Sequence, residues 1–260
     1  GLIIFELIRP IRHLQARYGC AKLYLDIKDD LIKNSIKMGR DKFYAFMRNH
    51  NLLIRKTKNY HITTDSNHGF YKSKDLTLNL EIKHAEQVFV SDITYIKLIS
   101  QHAYLALVTD AYSKKVMGYK IDTNMKVQLV KDALQMAVNN RKHTHQNTIH
   151  HSDRGIQYCC PDFSEFAKSK QMTLSTTQNS SPYENAVAER INGILKQEFG
   201  LGKTIPNLKT AQKMVKQAVD IYNKQRRHYS LGMKTPEFAH LNQIHKYKSY
   251  KKNKITIFEI

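Results

Sequence analysis

The sequence is short of acidic residues, of cysteine and of long apolar runs, and each shortage excludes something. Only 22 aspartates and glutamates stand against 42 lysines and arginines in 260 residues, a net charge of +20 with a pI near 9.7. That imbalance favours a polyanionic partner. The three cysteines, Cys20, Cys159 and Cys160, are odd in number and form no CxxC pair. They exclude a disulfide scaffold and suit a reducing, cytoplasmic setting. No apolar stretch approaches the roughly 18 residues of a membrane-spanning helix, and no secretory signal pattern is present. A basic protein lying on a membrane surface is thereby the weaker alternative. Tryptophan is absent altogether. The chain opens on Gly1 inside a helical pattern, so it is expected to be the trailing part of a longer translation product or a fragment. Its length suffices for one large domain and a smaller one.

What the sequence does contain is carboxylates in informative places. Val88, Val90, Asp92, Thr94 and Ile96 alternate with Phe89, Ile93 and Tyr95, an extended pattern with apolar residues on both faces. Such a strand is central and covered on both sides. An ionised Asp92 there is costly unless neutralised, and no Arg or Lys shares its face, which makes a metal ion a natural candidate. Asp153 stands in His151-Ser152-Asp153-Arg154-Gly155, directly after a short apolar run. Residues 154 to 188, 35 in number, separate it from Glu189. Around Glu189, the residues Val187, Ile191, Ile194 and Leu195 form an apolar helical stripe. Glu189 lies roughly 200° from Val187 and Ile191 at about 100° per residue, so it points away from the stripe. Alone, an outward Glu reads as solvated surface; beside Asp92 and Asp153 it reads as a third ligand. Lys196 follows about two helical turns later on nearly the same face, with Gly193 leaving that face open to a close approach by a polyanion.

Along the chain, residues 2 to 19 show helical spacing at Ile4, Leu7, Ile11, Leu14 and Tyr18, with Pro10 predicting a kink or a late start. Ala21 to Lys33 and Arg40 to His50 are two further helices joined by a short turn. This pair is either a helix-turn-helix, with Arg40, Lys42, Arg48 and Asn49 as DNA contacts, or a small helical bundle with solvated charges. Residues 55–86 read as an extended basic linker lying along DNA, or as a solvated loop. From residue 87 strands are expected at 87–99, 102–110 and 115–122 as an antiparallel meander. A helix at 126–141, a strand at 147–151, a helix near 161–169, a strand near 172–175 and the Glu189 helix follow. A long amphipathic helix then begins near Pro206. Asp110 is taken as structural. His143, His145, His150, His151, Cys159 and Cys160 fit no zinc spacing, and adjacent His150 and His151 would face opposite sides of a strand. Ser175 to Ser181 is expected to be a mobile polar loop beside the site.

Three segments carry a resemblance: Ser91-Asp92-Ile93-Thr94-Tyr95, the run His151 to Tyr158, and the run Ser181 to Glu189. Together they resemble the three signatures of bacterial insertion-sequence transposases with a retroviral-integrase-type core, and the 35-residue interval matches that family's. Tyr18-Gly19 with the helices after it, and the closing run Tyr222 to Gly232, resemble the family more loosely. The resemblance implies an α/β fold with a ribonuclease-H-like mixed five-stranded sheet flanked by helices. It divides the chain into a helix-turn-helix-like DNA-binding region at 1–54, the basic linker at 55–86, an integrase-type catalytic core at 87–240 and a basic tail at 241–260. It implies Asp92, Asp153 and Glu189 as catalytic metal ligands for two Mg²⁺ ions about 3.5–4 Å apart, with Mn²⁺ able to substitute. The expected activity is cleavage at the ends of a mobile element and strand transfer into target DNA by a homo-oligomer, in the bacterial cytoplasm at the nucleoid. Lys196, Arg190 and Arg226 join Arg40, Lys42 and Arg48 as expected DNA contacts. The rivals are a metal-dependent nuclease without joining activity and a decayed copy that only binds DNA. Phe89 stands where the family usually has Trp, Ser180-Ser181 where it has Gly-Asn, Arg190 where a small residue is commoner and Arg227 where Pro is usual. None of these departures removes a carboxylate.

Overall fold

Two faces of one strand set the architecture. The computed structural model describes residues 1–54, 69–143, 147–178 and 185–243. Strand β1 (Val88–Lys97) lies at the centre of a five-stranded sheet in the order β3-β2-β1-β4-β5. It pairs antiparallel with β2 (His102–Asp110) and parallel with β4 (Thr148–Ser152). β3 (Val116–Asp122) and β5 (Met172–Thr176) form the edges.

The alternation along β1 feeds separate apolar clusters. Phe89 and Ile93 pack with Leu129, Ala133 and Ala137 of α4 (Val127–Asn139) and Phe163 of α6 (Pro161–Ser169). On the opposite face Ile96 packs with Ile191, Ile194 and Leu195 of α7 (Ala186–Glu198) and with Val215 and Tyr222 of α8 (Leu208–Lys224). Val88 and Val90 meet Ala188 at the start of α7. α4 sits so close to β3 that only glycine fits at position 118, where a Cβ would fall 2.1 Å from the Ala133 carbonyl. A short helix α5 (Ile156–Cys159) follows β4, and α9 (Pro236–Asn242) follows a single 3₁₀ turn at Tyr229–Leu231. Thr235 caps α9 by accepting the Phe238 amide, with Pro236 in its first turn. Spacing alone did not indicate α5 or α9, because each is too short for a period to show.

The N-terminal unit consists of α1 (Leu2–Leu14), α2 (Cys20–Lys33) and α3 (Arg40–Asn49), closed around Ile4, Ile8, Tyr18, Leu23, Ile27, Phe43 and Met47. α1 begins at Leu2 and continues through Pro10, so the late start does not occur. The unit is fastened to the sheet domain by polar contacts. The Arg227 guanidinium pairs with Asp26 and donates to the Met233 carbonyl at 3.1 Å, while the Arg227 amide donates to the Tyr18 hydroxyl at 3.4 Å. A proline at 227 could make none of these bonds. Lys22 is buried in the same seam, and its ammonium is pushed down to about 8 by burial and by Arg226, against the opposing pull of Glu198.

The expected linker needs correction. Its described part, residues 69–86, packs along the sheet edge: the Leu76 amide donates to Ser175 Oγ at 2.9 Å and Thr176 Oγ1 donates to the Ser73 carbonyl at 2.6 Å. Ile82 and Ala85 are buried in the core. Glu86 is fully buried and accepts from the Lys142 and His143 amides. His240 of α9 spans two carboxylates, with Nε2 3.1 Å from Glu86 and Nδ1 3.2 Å from Asp110. Burial opposes charge on Glu86, but His240 and the two amides outweigh it and hold the carboxyl at about 2. Asp110 also accepts from the Glu86 and Ser113 amides, the structural role the sequence suggested. Residues 55–68 and 244–260, the rest of the linker and most of the tail, lie outside the described residues, as do 179–181 of the polar loop and 182–184 after it.

Candidate active site

The register of the central strands brings the first two carboxylates together. In the parallel pair β1 and β4, Ser91 stands opposite Ser152. Asp92 and Asp153, each one residue further on, therefore emerge side by side at the carboxyl end of β4. Asp153 Oδ1 accepts the Gly155 amide at 3.0 Å, which tightens the turn into α5. The third carboxylate arrives on α7. Asn185, just before that helix, donates from Nδ2 to the Ser91 carbonyl at 3.0 Å, pinning the helix start to β1 beside Asp92. Glu189 follows in the first turn.

One turn beyond Glu189, Asn192 donates from Nδ2 to Asp92 Oδ2 at 2.7 Å. Asp92 Oδ1 accepts the Ile93 amide at 2.9 Å. Even so, burial first and then the charges of Asp153 and Glu189 outweigh those two bonds and bring the Asp92 carboxyl up to about 7. Glu189 is raised as well, by desolvation and by Asp153. The three carboxylates thus lie within one another's field and disfavour simultaneous ionisation. Lys196 lies within the field of Asp92: burial lowers its ammonium and Asp92 acts in the opposite direction. A Cβ added at Gly193, between Glu189 and Lys196, would meet nothing within 4 Å.

An all-carboxylate set of oxygen donors suits hard divalent cations such as Mg²⁺ or Mn²⁺, and Asp92 has no basic partner on its own strand face. The donor chemistry therefore fits the expected metal. The three groups are neighbours without being drawn into a ligand cage: among the described residues no three His, Cys, Asp or Glu are close enough to hold a metal ion. The histidines of β4 are occupied otherwise. His150 Nε2 lies 2.8 Å from Ser91 Oγ, with its ring among Tyr158 and Phe163, while His151 Nδ1 lies 2.9 Å from Ser175 Oγ.

The expected DNA contacts divide. Arg190 is exposed beside Glu189, and Arg40, Lys42 and Arg48 are exposed on α3. Arg226 is a correction. Its side chain is 3% exposed, with Nε and Nη2 each 2.7 Å from the Glu198 carboxylate and Nη1 2.9 Å from His228 Nε2. A guanidinium buried and engaged at all three nitrogens has nothing to offer a phosphate; it ties the end of α7 to the end of α8. Sequence reasoning missed Asn185 and Asn192. The signal for Asn192 was present, since a residue three positions after Glu189 shares its helix face.

Known proteins are similar to this chain over most of its length. An integrase core domain family model matches residues 83–182, and a second integrase core domain model matches residues 170–236. The uncharacterized 31 kDa protein of insertion element IS600 from Shigella sonnei is 30% identical over 230 residues, spanning 87% of this chain and 83% of that protein. Transposase InsF for insertion sequence IS3A of Escherichia coli strain K12 is 30% identical over 223 residues, 85% of this chain and 76% of that one. Among solved structures, a chain of the simian T-cell lymphotropic virus intasome in complex with PP2A regulatory subunit B56 gamma shares the fold. Its TM-score is 0.54 at 17% identity, over 90% of this chain and 75% of that chain.

Proposed function

The chain belongs to the insertion-sequence transposases with an integrase-type core, and from that premise we propose that it cuts the ends of its own mobile element and joins the freed strand to target DNA at Asp92, Asp153 and Glu189. The observation that carries this reading is the coupling of the three carboxylates where β1, β4 and α7 meet, with Asp92 raised to about 7 by burial and by the other two. Cleavage and joining are one in-line displacement at phosphorus with different nucleophiles, a water for the first and a DNA 3′-hydroxyl for the second.

The chain's own groups prepare that displacement. Asn192 holds Asp92 Oδ2 and the Ile93 amide holds Oδ1, which fixes the carboxylate plane. Asp153 is oriented through the Gly155 amide, and Glu189 is carried into place by the anchor of Asn185 on β1. Lys196 meets a phosphate beside the reacting bond as a point charge, positioning the strand without reading its sequence. These three carboxylates would hold two Mg²⁺ ions, or Mn²⁺ in their place, and such ions supply a polarised phosphate and a nucleophile of lowered pKa. The partners are double-stranded DNA, as element end and as target, and further copies of the chain assembled on it, in the cytoplasm at the nucleoid. Among the described residues no helix is long and apolar enough to cross a membrane.

The test is to incubate the protein with end-labelled DNA from the flanks of its own gene, with Mg²⁺ or Mn²⁺. Nicked and joined products are expected. Nicks without joining would make it a nuclease, and binding without either product would overturn the catalytic reading.

A further inference from the structure

The N-terminal unit and the segment after α8 line an open cleft of about 730 Å³, with Ala21, Tyr24 and Leu25 of α2 beside α3. One wall is α3, where Arg40, Tyr44 and Arg48 recur at steps of four and so share a helix face. The other wall is Tyr229 and Met233. Tyr229 is 66% exposed, an unusual position for a large ring. It lies close enough to Tyr44 to act on its phenol, which is raised by desolvation first and then by Cys20 and Tyr229. The walls are fixed relative to each other by Arg227, which pairs with Asp26 on α2 and donates to the Met233 carbonyl at 3.1 Å.

This geometry bears on what α3 can bind. A recognition helix must stand clear of its own protein to enter a major groove about 12 Å wide and 8.5 Å deep. The face bearing Arg40, Tyr44 and Arg48 instead looks across a narrow cleft at Tyr229. The cleft, about 730 Å³ in volume, offers room for part of an extended strand between its walls. Exposed aromatic rings with cations at the rim are the features that hold unpaired nucleic acid, the rings stacking on bases and the cations tracking phosphates. Arg40 is partly neutralised by Asp41, 3.1 Å away, which leaves Arg48 as the principal phosphate contact.

We propose that this cleft binds single-stranded DNA, with a base stacked on Tyr229 and the backbone running past Arg48 on α3. The inference rests on the reading of DNA as the substrate and adds its form at this surface: an unpaired segment next to the element end, held by the sheet domain and the helical unit together.

The experiment uses the full chain in EDTA, so that binding is read without turnover. Fluorescence anisotropy would be measured with a labelled ten-nucleotide oligo-dT and with a blunt duplex of the same length. Tyr229→Ala should weaken oligo-dT binding by about 5- to 150-fold, the range for loss of one stacked base, while duplex affinity changes less than about twofold. Tyr229→Phe should retain wild-type binding, because stacking needs the ring and not the hydroxyl. Arg48→Ala should flatten the salt dependence for oligo-dT by about 0.7 in log–log slope. Thermal melts should be unchanged, since Tyr229 and Arg48 are exposed. Unaltered oligo-dT binding by Tyr229→Ala would overturn the proposal, as would an equal loss for duplex and single strand. Absence of oligo-dT binding by the wild type would also overturn it, whatever the nicking and joining assay gives.

Discussion

Replacing Asp92 by Asn should abolish nicking and joining and at the same time make the protein more stable at neutral to alkaline pH. The Asp92 carboxyl lies at about 7 in the folded chain against an ordinary 3.8, raised by burial and then by Asp153 and Glu189. Because the folded value exceeds the unfolded one, the folded state binds the extra proton between about pH 4 and 7, and wild-type stability falls as pH rises through that window. At about 1.4 kcal/mol per pH unit, the ceiling is about 4 kcal/mol of destabilisation, fully developed above pH 7. Asp92 accepts the Ile93 amide on one oxygen and Asn192 on the other, and Asn has only one accepting oxygen, so one of these two bonds, worth about 1 kcal/mol, is lost against its amide nitrogen while the other survives. The net expectation is a gain of about 1–3 kcal/mol at pH 8 that shrinks towards zero or reverses at pH 4. Urea unfolding of wild type and Asp92→Asn in EDTA at both pH values would measure it, with the wild type as control for every other titrating group. A variant no more stable at pH 8, or a difference independent of pH, would refute the account of the site as mutually repelling carboxylates with Asp92 desolvated among them. Retained joining activity would refute the catalytic assignment separately.

Asn192→Ala removes the 2.7 Å bond to Asp92; the acidic limb of the pH–rate profile should move to higher pH and the rate should fall, whereas an unmoved profile would make Asn192 merely a packing residue. Lys196→Ala should slow joining at subsaturating DNA without lowering the melting temperature; a wild-type rate under those conditions would leave Lys196 as surface. Arg226→Ala strands a Glu198 carboxylate in a seam that holds Arg226 at 3% exposure, and by the usual cost of halving a buried pair it should destabilise by about 3–5 kcal/mol. Protein that remains folded should bind DNA with wild-type affinity, and a selective loss of DNA binding at unchanged stability would restore Arg226 as a DNA contact.

The sheet was legible because its signals are local. The alternation from Val88 to Ile96 placed Asp92 on a central strand, and the apolar stripe of Val187, Ile191, Ile194 and Leu195 turned Glu189 away from the core; both need only a window of ten residues. α5 and α9 offered no such window. The segment 69–86 was misjudged for a related reason: its lysines made it look solvated, but it is held by single bonds to β5, such as Leu76 to Ser175, across 99 residues of sequence. A segment without periodicity can still be structural when its backbone groups find partners on a sheet edge, and nothing in its own composition says so.

The same reasoning explains why side-chain roles were harder to read than positions. Arg226 and Arg227 are neighbours in a basic run that suggested DNA, yet both are engaged within the protein, Arg226 by Glu198 on α7 and Arg227 by Asp26 on α2. What converts a cation from surface charge to internal tie is the carboxylate opposite it, and those partners lie 28 and 201 residues away in sequence. Lys196 differs because the opposing charge that acts on it is Asp92 of the site itself. The +20 charge is therefore not spread evenly in effect. The arginines after α8 hold α7 and the N-terminal unit in place, so the cations proposed to meet phosphate are others: Lys196 and the exposed Arg190 at the site, and the exposed Arg40, Lys42 and Arg48 on α3.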